Sequence, residues 1–161
     1  MRAVLLDLDN TLVPYKAYGE APEGLLEWLQ TLRQAGIPVM LVSNATPRRV
    51  RYWREKLDIP GFGPAGKPWF GFRKALRWLA LPAHEVAVVG DQLFTDVLGG
   101  NLRGMYTVLV PPLAPKELGY TRLVRKLERW VLQNPRREDT AGTHEEFDPK
   151  DLRQNPTISK D

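Results

Sequence analysis

Four short apolar runs constrain the fold of this chain more than any other feature of its sequence. Each run is continuous rather than alternating and is rich in valine and leucine, which is typical of strands buried on both faces of a parallel sheet. The runs are Ala3–Leu8, Pro38–Ser43, Val86–Gly90 and Tyr106–Val110. We therefore predict a parallel β-sheet at the centre of the molecule.

Segments with the spacing of amphipathic helices separate these runs. Their apolar stripes are Leu25, Leu26, Leu29 and Leu32, then Val50, Trp53 and Leu57, then Phe72, Ala75, Leu76 and Leu79. Gly36 is a C′ residue for the first helix, and Thr46-Pro47 offers the second a cap and a first-turn proline. Strands that alternate with helices predict an α/β fold with a single doubly wound, Rossmann-like parallel sheet.

The 161 residues divide into a folded unit and a polar tail. Residues 134–161 contain only Phe147, Leu152 and Ile158 as large apolar side chains, too few to offset the entropy lost on ordering them. We predict one domain over 1–132 and a flexible tail over 133–161. Neither a membrane span nor a signal peptide is indicated, so the expected location is cytoplasmic.

The chain has no cysteine and only two histidines, His84 and His144. The lack of thiols excludes disulfides, cysteine-ligated metals and cysteine nucleophiles. Hydrolytic chemistry in this chain would therefore depend on carboxylates, both as nucleophiles and as metal ligands. The metal that suits such ligands is a hard cation such as Mg²⁺.

Acidic residues follow two of the predicted strands, at the edge of the sheet where doubly wound proteins bind ligands. Asp7 lies near the end of the first run and Asp9 directly follows that run, and the two would repel each other unless a cation lay between them. Asp91 and Asp96 form a second acidic pair after the third run. Two acidic pairs at one end of a sheet predict a metal site.

Two further loops carry groups that suit a phosphate. Ser43 and Asn44 offer a hydroxyl and backbone N–H groups at a helix entry, although the same dipeptide also serves as an ordinary turn. Lys67 precedes Pro68, which we predict to begin the third helix, and lies between two strand-end loops. A single lysine is more often a solvated surface residue, so neither loop defines a site by itself.

The motifs DLDNT, VSN, GKP and GDQLFTD occur in this order at the predicted strand ends. This set resembles the four motifs of the haloacid dehalogenase (HAD) superfamily of phosphohydrolases. The stretch from Val86 to Val110 is similar to the cap-less subfamily IIIA of YqeG-type proteins, which are similar to phosphatidylglycerophosphate phosphatases. The resemblance covers 1–132 and implies a Mg²⁺-dependent phosphomonoesterase with an aspartyl-phosphate intermediate.

The resemblance also implies a role for each residue of the first motif. Asp7 would be the nucleophile and a metal ligand. Asp9 would protonate the leaving group and then activate water, while its backbone carbonyl binds Mg²⁺. Thr11 would brace the loop. The presence of Asp9 favours phosphate ester hydrolysis over dehalogenation, because dehalogenases of this superfamily lack that carboxylate.

The other three motifs supply the remaining implied roles. Ser43 and Asn44 would bind the transferring phosphoryl group, and Lys67 would neutralise that group and its aspartyl acceptor. Asp91 would ligate Mg²⁺ directly. Asp96 would lie outside the metal's inner sphere and orient waters or Lys67.

Short spacings leave no room for a cap domain of the kind this superfamily inserts near its first two motifs. Only 36 positions separate Asp7 from Ser43, and 24 separate Ser43 from Lys67. The site should therefore be open. By family analogy, an open site suits a large substrate presented from outside, such as a lipid head group, a nucleic-acid end or a phosphoprotein.

Basic residues cluster on two predicted helices. They are Arg48, Arg49, Arg51, Arg54 and Lys56 in one, and Arg122, Arg125, Lys126 and Arg129, interleaved with Leu123, Leu127, Trp130 and Val131, in the other. Surface bases could attract an anionic substrate or contact an anionic membrane, although the apolar side of the second helix could equally pack on the sheet. No nucleic-acid-binding motif is present, and the sequence does not indicate the oligomeric state.

Three functions follow from these patterns. The leading one is a Mg²⁺-dependent phosphatase acting on phosphatidylglycerophosphate, peripheral at the inner face of the membrane. A phosphatase for nucleic-acid ends or for a soluble metabolite is the alternative enzyme. The non-enzymatic alternative, a phospho-Asp signalling or binding module of the receiver type, fits poorly because receiver domains accept phosphate at the end of a central strand.

Overall fold

The computed structural model describes residues 1–113, which form a five-stranded parallel sheet flanked by helices. The strands are β1 (Ala3–Leu6), β2 (Val39–Val42), β3 (Gly61–Phe62), β4 (Val86–Gly90) and β5 (Tyr106–Leu109). The helices are α1 (Leu25–Gln34), α2 (Pro47–Leu57), α3 (Gly71–Leu79) and α4 (Leu98–Asn101). A 3₁₀ turn over Ala83–Glu85 precedes β4, and a π-helical turn over Leu93–Val97 precedes α4.

The strand order is β3-β2-β1-β4-β5, and every pairing is parallel. The chain builds the sheet outward from β1 through β2 to β3, then returns to the other side of β1 to add β4 and β5. This confirms the predicted doubly wound sheet. The strand order reverses between β1 and β4, where such sheets open a crevice at their carboxyl ends.

Alternating strand residues divide the core into two layers, one on each face of the sheet. Leu6 and Leu41 pack on one face with Trp28 of α1 and Trp53 of α2. On the opposite face, the side chains of β1, β2 and β4 pack with Phe72, Ala75 and Leu79 of α3. Because β1, β2 and β4 are buried on both faces, their ends are fixed, and so are the loops that carry the polar motifs. The expectation of burial on both faces is wrong for β5, which is an edge strand and is partly exposed.

Several helix boundaries agree with the sequence signals. Gly36 has φ 65°. The N–H groups of Gly36 and Ile37 donate to the carbonyls of Arg33 and Leu32, and these bonds end α1. Pro47 begins α2, but the Thr46 side chain makes no capping hydrogen bond. Leu26 is wrongly assigned to the buried stripe of α1, because it lies on the outer face and is half exposed.

The structure corrects three further expectations. β1 ends at Leu6 rather than Leu8, because the chain turns there and the N–H groups of Leu12 and Val13 bond to the Leu8 carbonyl. α3 begins at Gly71, so Pro68 lies in the preceding turn. β3 was not predicted. The domain boundary at 132 and the basic helix around Arg122 lie outside the described residues.

Within residues 1–113, no helix is long and apolar enough to cross a membrane. The described intervals between the motifs contain one helix each and hold no cap domain, since α1 fills the first and α2 the second. Within the described residues, no cap domain therefore covers the carboxyl edge of the sheet.

Candidate active site

A buried ion triad lies where the strand order reverses. The Lys67 ammonium is 2.6 Å from Asp7 Oδ1 and 2.6 Å from Asp96 Oδ1. All three side chains are at most 4% exposed. Asp7 directly follows β1, and its N–H bonds to the Val89 carbonyl, so its position is set by the β1–β4 pairing. A buried lysine can be this close to two aspartates only because each charge compensates the others.

Hydrogen bonds to its backbone hold the Lys67 loop in place. The Asn44 side chain accepts from Lys67 N at 2.9 Å and donates to Lys67 O at 3.3 Å. The Arg103 guanidinium donates to the carbonyls of Pro68, at 3.0 Å, and Trp69. The loop after β2 and the turn between α4 and β5 thus both hold the loop that carries Lys67.

Asp96 is anchored by the turn that contains it. Gln92 N donates to Asp96 Oδ2 at 3.2 Å, while Asp96 N donates to Gln92 O at 2.9 Å. Gly90, at the end of β4, packs directly against Asp96, and an added Cβ there would lie 2.6 Å from Asp96 Cβ and closer still to its carboxylate. Only glycine at this position leaves room for the aspartate.

Asp91 completes an acidic group with Asp7 and Asp96. One carboxylate oxygen from each of the three lies within 4.8 Å of the others. Thr11 donates a long hydrogen bond of 3.4 Å to Asp91 Oδ1, so the buried Thr11 connects the first and fourth motif loops. Burial raises the pKa of Asp91, and the negative charge of Asp96 adds to the effect.

The Asp7 carboxyl is strongly perturbed by its surroundings. Burial raises its pKa to about 6, partly opposed by the Lys67 ammonium and reinforced by Asp96. Its second oxygen, Oδ2, is buried and has no hydrogen-bond partner. An unsatisfied buried carboxylate oxygen is costly, and it is the kind of atom that a cation or a reacting group would complete.

The donor set fits a hard divalent cation. Three carboxylates against one ammonium leave an excess of two negative charges when all are ionised. All the available ligand atoms of this cluster are oxygens, which Mg²⁺ prefers. The predicted grouping of Asp7, Asp91 and Asp96 is therefore present in the fold.

Asp9 lies apart from this group. Its carboxylate turns toward Arg49, whose Nη2 is 2.7 Å from Asp9 Oδ1, and it also accepts from Lys16 N at 3.1 Å. The expectation of a metal ion balancing both carboxylates of the first motif is therefore wrong for the Asp9 side chain, since its nearby positive charge is Arg49. The backbone carbonyl of Asp9 remains a predicted ligand.

Arg49 also corrects the expectation that this basic run lies on the surface. Arg48 and Arg51 are exposed, but Arg49 is only 4% exposed. The sequence contained a signal for this, because Arg49 lies four residues before Trp53 and thus on the buried face of α2. Arg103 is another structurally important arginine that the sequence reading missed, and no periodic signal marks it.

Ser43 and Asn44 follow β2 at the same edge of the sheet. Ser43 is buried, and its Oγ accepts from Ala45 N at 3.2 Å. Both polar ends of the Asn44 side chain are engaged by the Lys67 backbone. Contact of either residue with a phosphoryl group stays a prediction. The donors available for it are the Ser43 hydroxyl and the backbone N–H of Asn44.

The fold and the site together are those of an α/β protein that gathers a cluster of carboxylates around one buried lysine at the carboxyl edge of its sheet. A family model described as HAD-hydrolase-like matches residues 64–112. The chain is 40% identical over 139 residues to the protein named Probable phosphatase YqeG of Bacillus subtilis (strain 168), covering 86% of this chain and 80% of that protein. The chain belongs to the HAD superfamily of phosphatases.

Solved structures share this fold at low sequence identity. A HAD phosphatase from Thermococcus onnurineus is 16% identical with a TM-score of 0.64, and the alignment covers 81% of this chain and 98% of that one. The D,D-heptose 1,7-bisphosphate phosphatase of B. bronchiseptica, complexed with magnesium and phosphate, is 19% identical with a TM-score of 0.58, covering 81% and 100%.

Proposed function

We propose that this phosphatase hydrolyses phosphomonoesters in a Mg²⁺-dependent reaction that passes through an aspartyl-phosphate on Asp7. The observation that carries the proposal is the asymmetry of the Asp7 carboxylate. Lys67 holds Oδ1 at 2.6 Å, whereas the buried Oδ2 has no hydrogen-bond partner. One oxygen is fixed and partly neutralised, and the other is available for a bond to a cation or to phosphorus.

The residues proposed to hold Mg²⁺ are Asp7, Asp91 and the backbone carbonyl of Asp9, with Asp96 supporting from outside the inner sphere. Mg²⁺ bound there would neutralise phosphoryl charge and orient the ester for in-line attack. Support comes from the cluster of carboxylate oxygens and from the raised pKa of Asp7, about 6, which reflects burial and the nearby Asp96 charge.

In the first half-reaction, an Asp7 oxygen attacks phosphorus, the bond from phosphorus to the ester oxygen breaks, and Asp9 gives a proton to the departing alkoxide. In the second, Asp9 takes a proton from water, whose oxygen attacks the phosphorus of the aspartyl-phosphate and releases phosphate and Asp7. Lys67 balances charge at Asp7, while Ser43 Oγ and the Asn44 N–H donate to phosphoryl oxygens.

The proposed substrate is phosphatidylglycerophosphate, an ester whose bulky lipid remains outside the site. The absence of a cap within the described residues supports a substrate of this size. Further support comes from four exposed side chains on the loops that carry Lys67, Asp91 and Asp96. We call this set the apolar rim, and its members are Trp69, Phe70, Leu93 and Phe94.

The apolar rim supports contact with an anionic membrane. Its four side chains are 54–74% exposed, which is unusual for large apolar residues beside a charged site. Arg73 lies next to the Phe70 ring, 5.9 Å from its centroid, so positive charge accompanies the aromatic surface. Aromatic side chains beside basic ones suit the interface of an anionic bilayer.

The central experiment is a phosphate-release screen with Mg²⁺. Phosphatidylglycerophosphate in mixed micelles, p-nitrophenyl phosphate, 5′-phosphorylated oligonucleotides and sugar phosphates are compared, with EDTA and Asp7→Asn as controls. We expect turnover of the lipid above the others, with loss in EDTA and in Asp7→Asn. Preference for an oligonucleotide or a sugar phosphate would replace the lipid, and no turnover of any ester would reject the phosphatase chemistry.

Membrane contact is tested separately with the double variant Trp69→Ser/Phe94→Ser. It should bind less to vesicles of anionic lipid and hydrolyse the micellar lipid more slowly, while p-nitrophenyl phosphate turnover is preserved. The control is Leu102→Ser, which removes another exposed apolar side chain, 57% exposed, at the end of α4 and outside the apolar rim. Equal loss on both substrates would contradict a docking role for the rim.

A further inference from the structure

Arg49 makes the most extensive set of contacts of any charged side chain near the site. Its Nε and Nη2 donate to Asp9 Oδ1 at 3.0 and 2.7 Å. The remaining contacts go to one loop, with Nη2 3.3 Å from the Pro14 carbonyl and Nη1 bonded to the Ala17 carbonyl. The guanidinium also lies 5.0 Å from the centroid of the Tyr18 ring.

Burying the Arg49 guanidinium costs free energy that an arginine on the surface does not. A buried guanidinium is tolerated only when its charge and its donors are satisfied, and here one carboxylate and two carbonyls do so. The Arg49 and Asp9 side chains are only 5% and 14% exposed. The partner of this arginine is the residue with the proposed acid/base role, which gives the pair a place in the reaction.

We propose that Arg49 is a positioning residue that acts through Asp9 and serves the second half-reaction. A carboxylate that accepts three bonds from a guanidinium, two on Oδ1 and one on Oδ2, is held in one orientation. Asp9 held in this orientation is the group that takes a proton from water when the aspartyl-phosphate is hydrolysed. The inference rests on the proposed aspartyl-phosphate mechanism.

Loss of Arg49 should therefore slow hydrolysis of the phosphoenzyme more than its formation. With p-nitrophenyl phosphate the phenolate departs with little need for protonation, so Asp7 is still phosphorylated in Arg49→Met. We expect a burst of p-nitrophenolate approaching one per enzyme, then a steady-state rate lower by about 10²-fold, within the usual contribution of a general base. Wild type should show a smaller burst.

A double-mutant cycle separates this role from general damage. Because Arg49 acts through Asp9, Asp9→Asn/Arg49→Met should be no slower than Asp9→Asn alone. Arg77→Met, which removes an exposed arginine of α3, should match wild type. If Arg49→Met does not fold, Arg49→Lys keeps the buried cation with fewer donors and is tested in the same cycle, with a smaller burst expected.

The possible results are distinct. Absence of a burst, or losses that multiply in the double variant, would overturn the role of Arg49 while leaving the phosphatase intact. A wild-type enzyme that hydrolyses no ester would instead reject the proposed function itself. Phosphoenzyme accumulation together with non-additive losses would establish Arg49 as the residue that positions the base.

Discussion

At the scale of single residues, the site concentrates charges that the fold must stabilise at some cost. Asp7 is nearly buried, and its pKa of about 6 lies above the usual 3.8. The folded protein therefore binds more protons than the unfolded chain between these two pH values. Stability from this group is present at low pH and is lost as the pH rises toward 6.

Replacing Asp7 by Asn should therefore stabilise the metal-free protein at pH 7.5, by an amount on the order of 3 kcal/mol or less. The gain should shrink at pH 5, where the wild-type carboxyl is largely protonated. Thermal unfolding in EDTA at both pH values measures it, with the exposed Glu23→Gln as control. A wild-type and variant Tm difference that is the same at both pH values would contradict the argument.

Lys67 should behave in the opposite way. Lys67→Met leaves Asp7 and Asp96 without their shared cation, which breaks a buried ion pair and costs about 3–5 kcal/mol at neutral pH. Activity should fall by about 10²–10³-fold, as when one donor to a transition-state oxyanion is lost. Urea unfolding and steady-state kinetics measure the two effects. Lys56→Met, which removes a lysine paired with an exposed glutamate, should affect neither.

At the scale of elements, the end of β4 and the π-helical turn after it form one unit. The turn places Asp96 directly over Gly90, so the strand end must lack a side chain. A glycine at the end of a buried strand usually marks a close approach of this kind. The sequence GDQLFTD therefore encodes a packing constraint as well as an acidic pair.

Gly90→Ala should displace the Asp96 carboxylate and lower activity by about 10²-fold, because misplacement of a catalytic side chain by about 1 Å has that effect. The control is Gly100→Ala, whose added Cβ would also be crowded, 2.5 Å from Thr107 Cγ2, but away from the acidic cluster. Steady-state kinetics and thermal unfolding of both variants separate displacement of Asp96 from a general loss of stability. Similar activities in the two variants would refute the steric role of Gly90.

The lengths and pairings of the strands and helices show which of them the sequence could predict. The four apolar runs are long enough to be recognised as strands, whereas β3 has only Gly61 and Phe62 and exists because it pairs with β2. Gly61 faces Leu41 so closely that no Cβ would fit, and this constraint appears only after the strands are paired. The start of α3 was misplaced because Pro68 is a common first helical residue but here occupies a turn.

The acidic cluster could be anticipated because Asp7 and Asp91 directly follow buried strands, where local sequence decides position. Lys67 lies between two such loops, and its role was implied by the resemblance of the four motifs. The Arg49–Asp9 pair joins α2 to the first motif loop across 40 residues. The spacing to Trp53 places Arg49 on the buried face of α2, but no local pattern identifies Asp9 as its partner. The same holds for Arg103, whose contacts with the Lys67 loop depend on tertiary packing. Sequence therefore predicted the groups of the site better than their mutual contacts.

At the scale of the whole molecule, metal binding should couple to pH and to stability. At the proposed site, Mg²⁺ would bind the ionised forms of Asp7 and Asp91, and burial raises the pKa of both. The increase in Tm produced by a fixed Mg²⁺ concentration should therefore grow from pH 5 to pH 7.5. At 100 times the Kd the gain approaches about 2.7 kcal/mol. Differential scanning fluorimetry measures the increase in Tm, which should be smaller in Asp91→Asn. An increase that is the same at both pH values would exclude Asp7 and Asp91 as the ligands.

The central place of β1 also determines when the chain acquires its reactive centre during synthesis. Asp7 is translated 84 residues before Asp91, and β1 can pair with β4 only after the chain has crossed back over the sheet. Until then the carboxylates are apart and solvated, so their repulsion does not oppose early folding. A partly made chain thus carries Asp7, the proposed nucleophile, before Asp91 and Asp96 exist, so the proposed site can be complete only after β4 and the turn that follows it have been made.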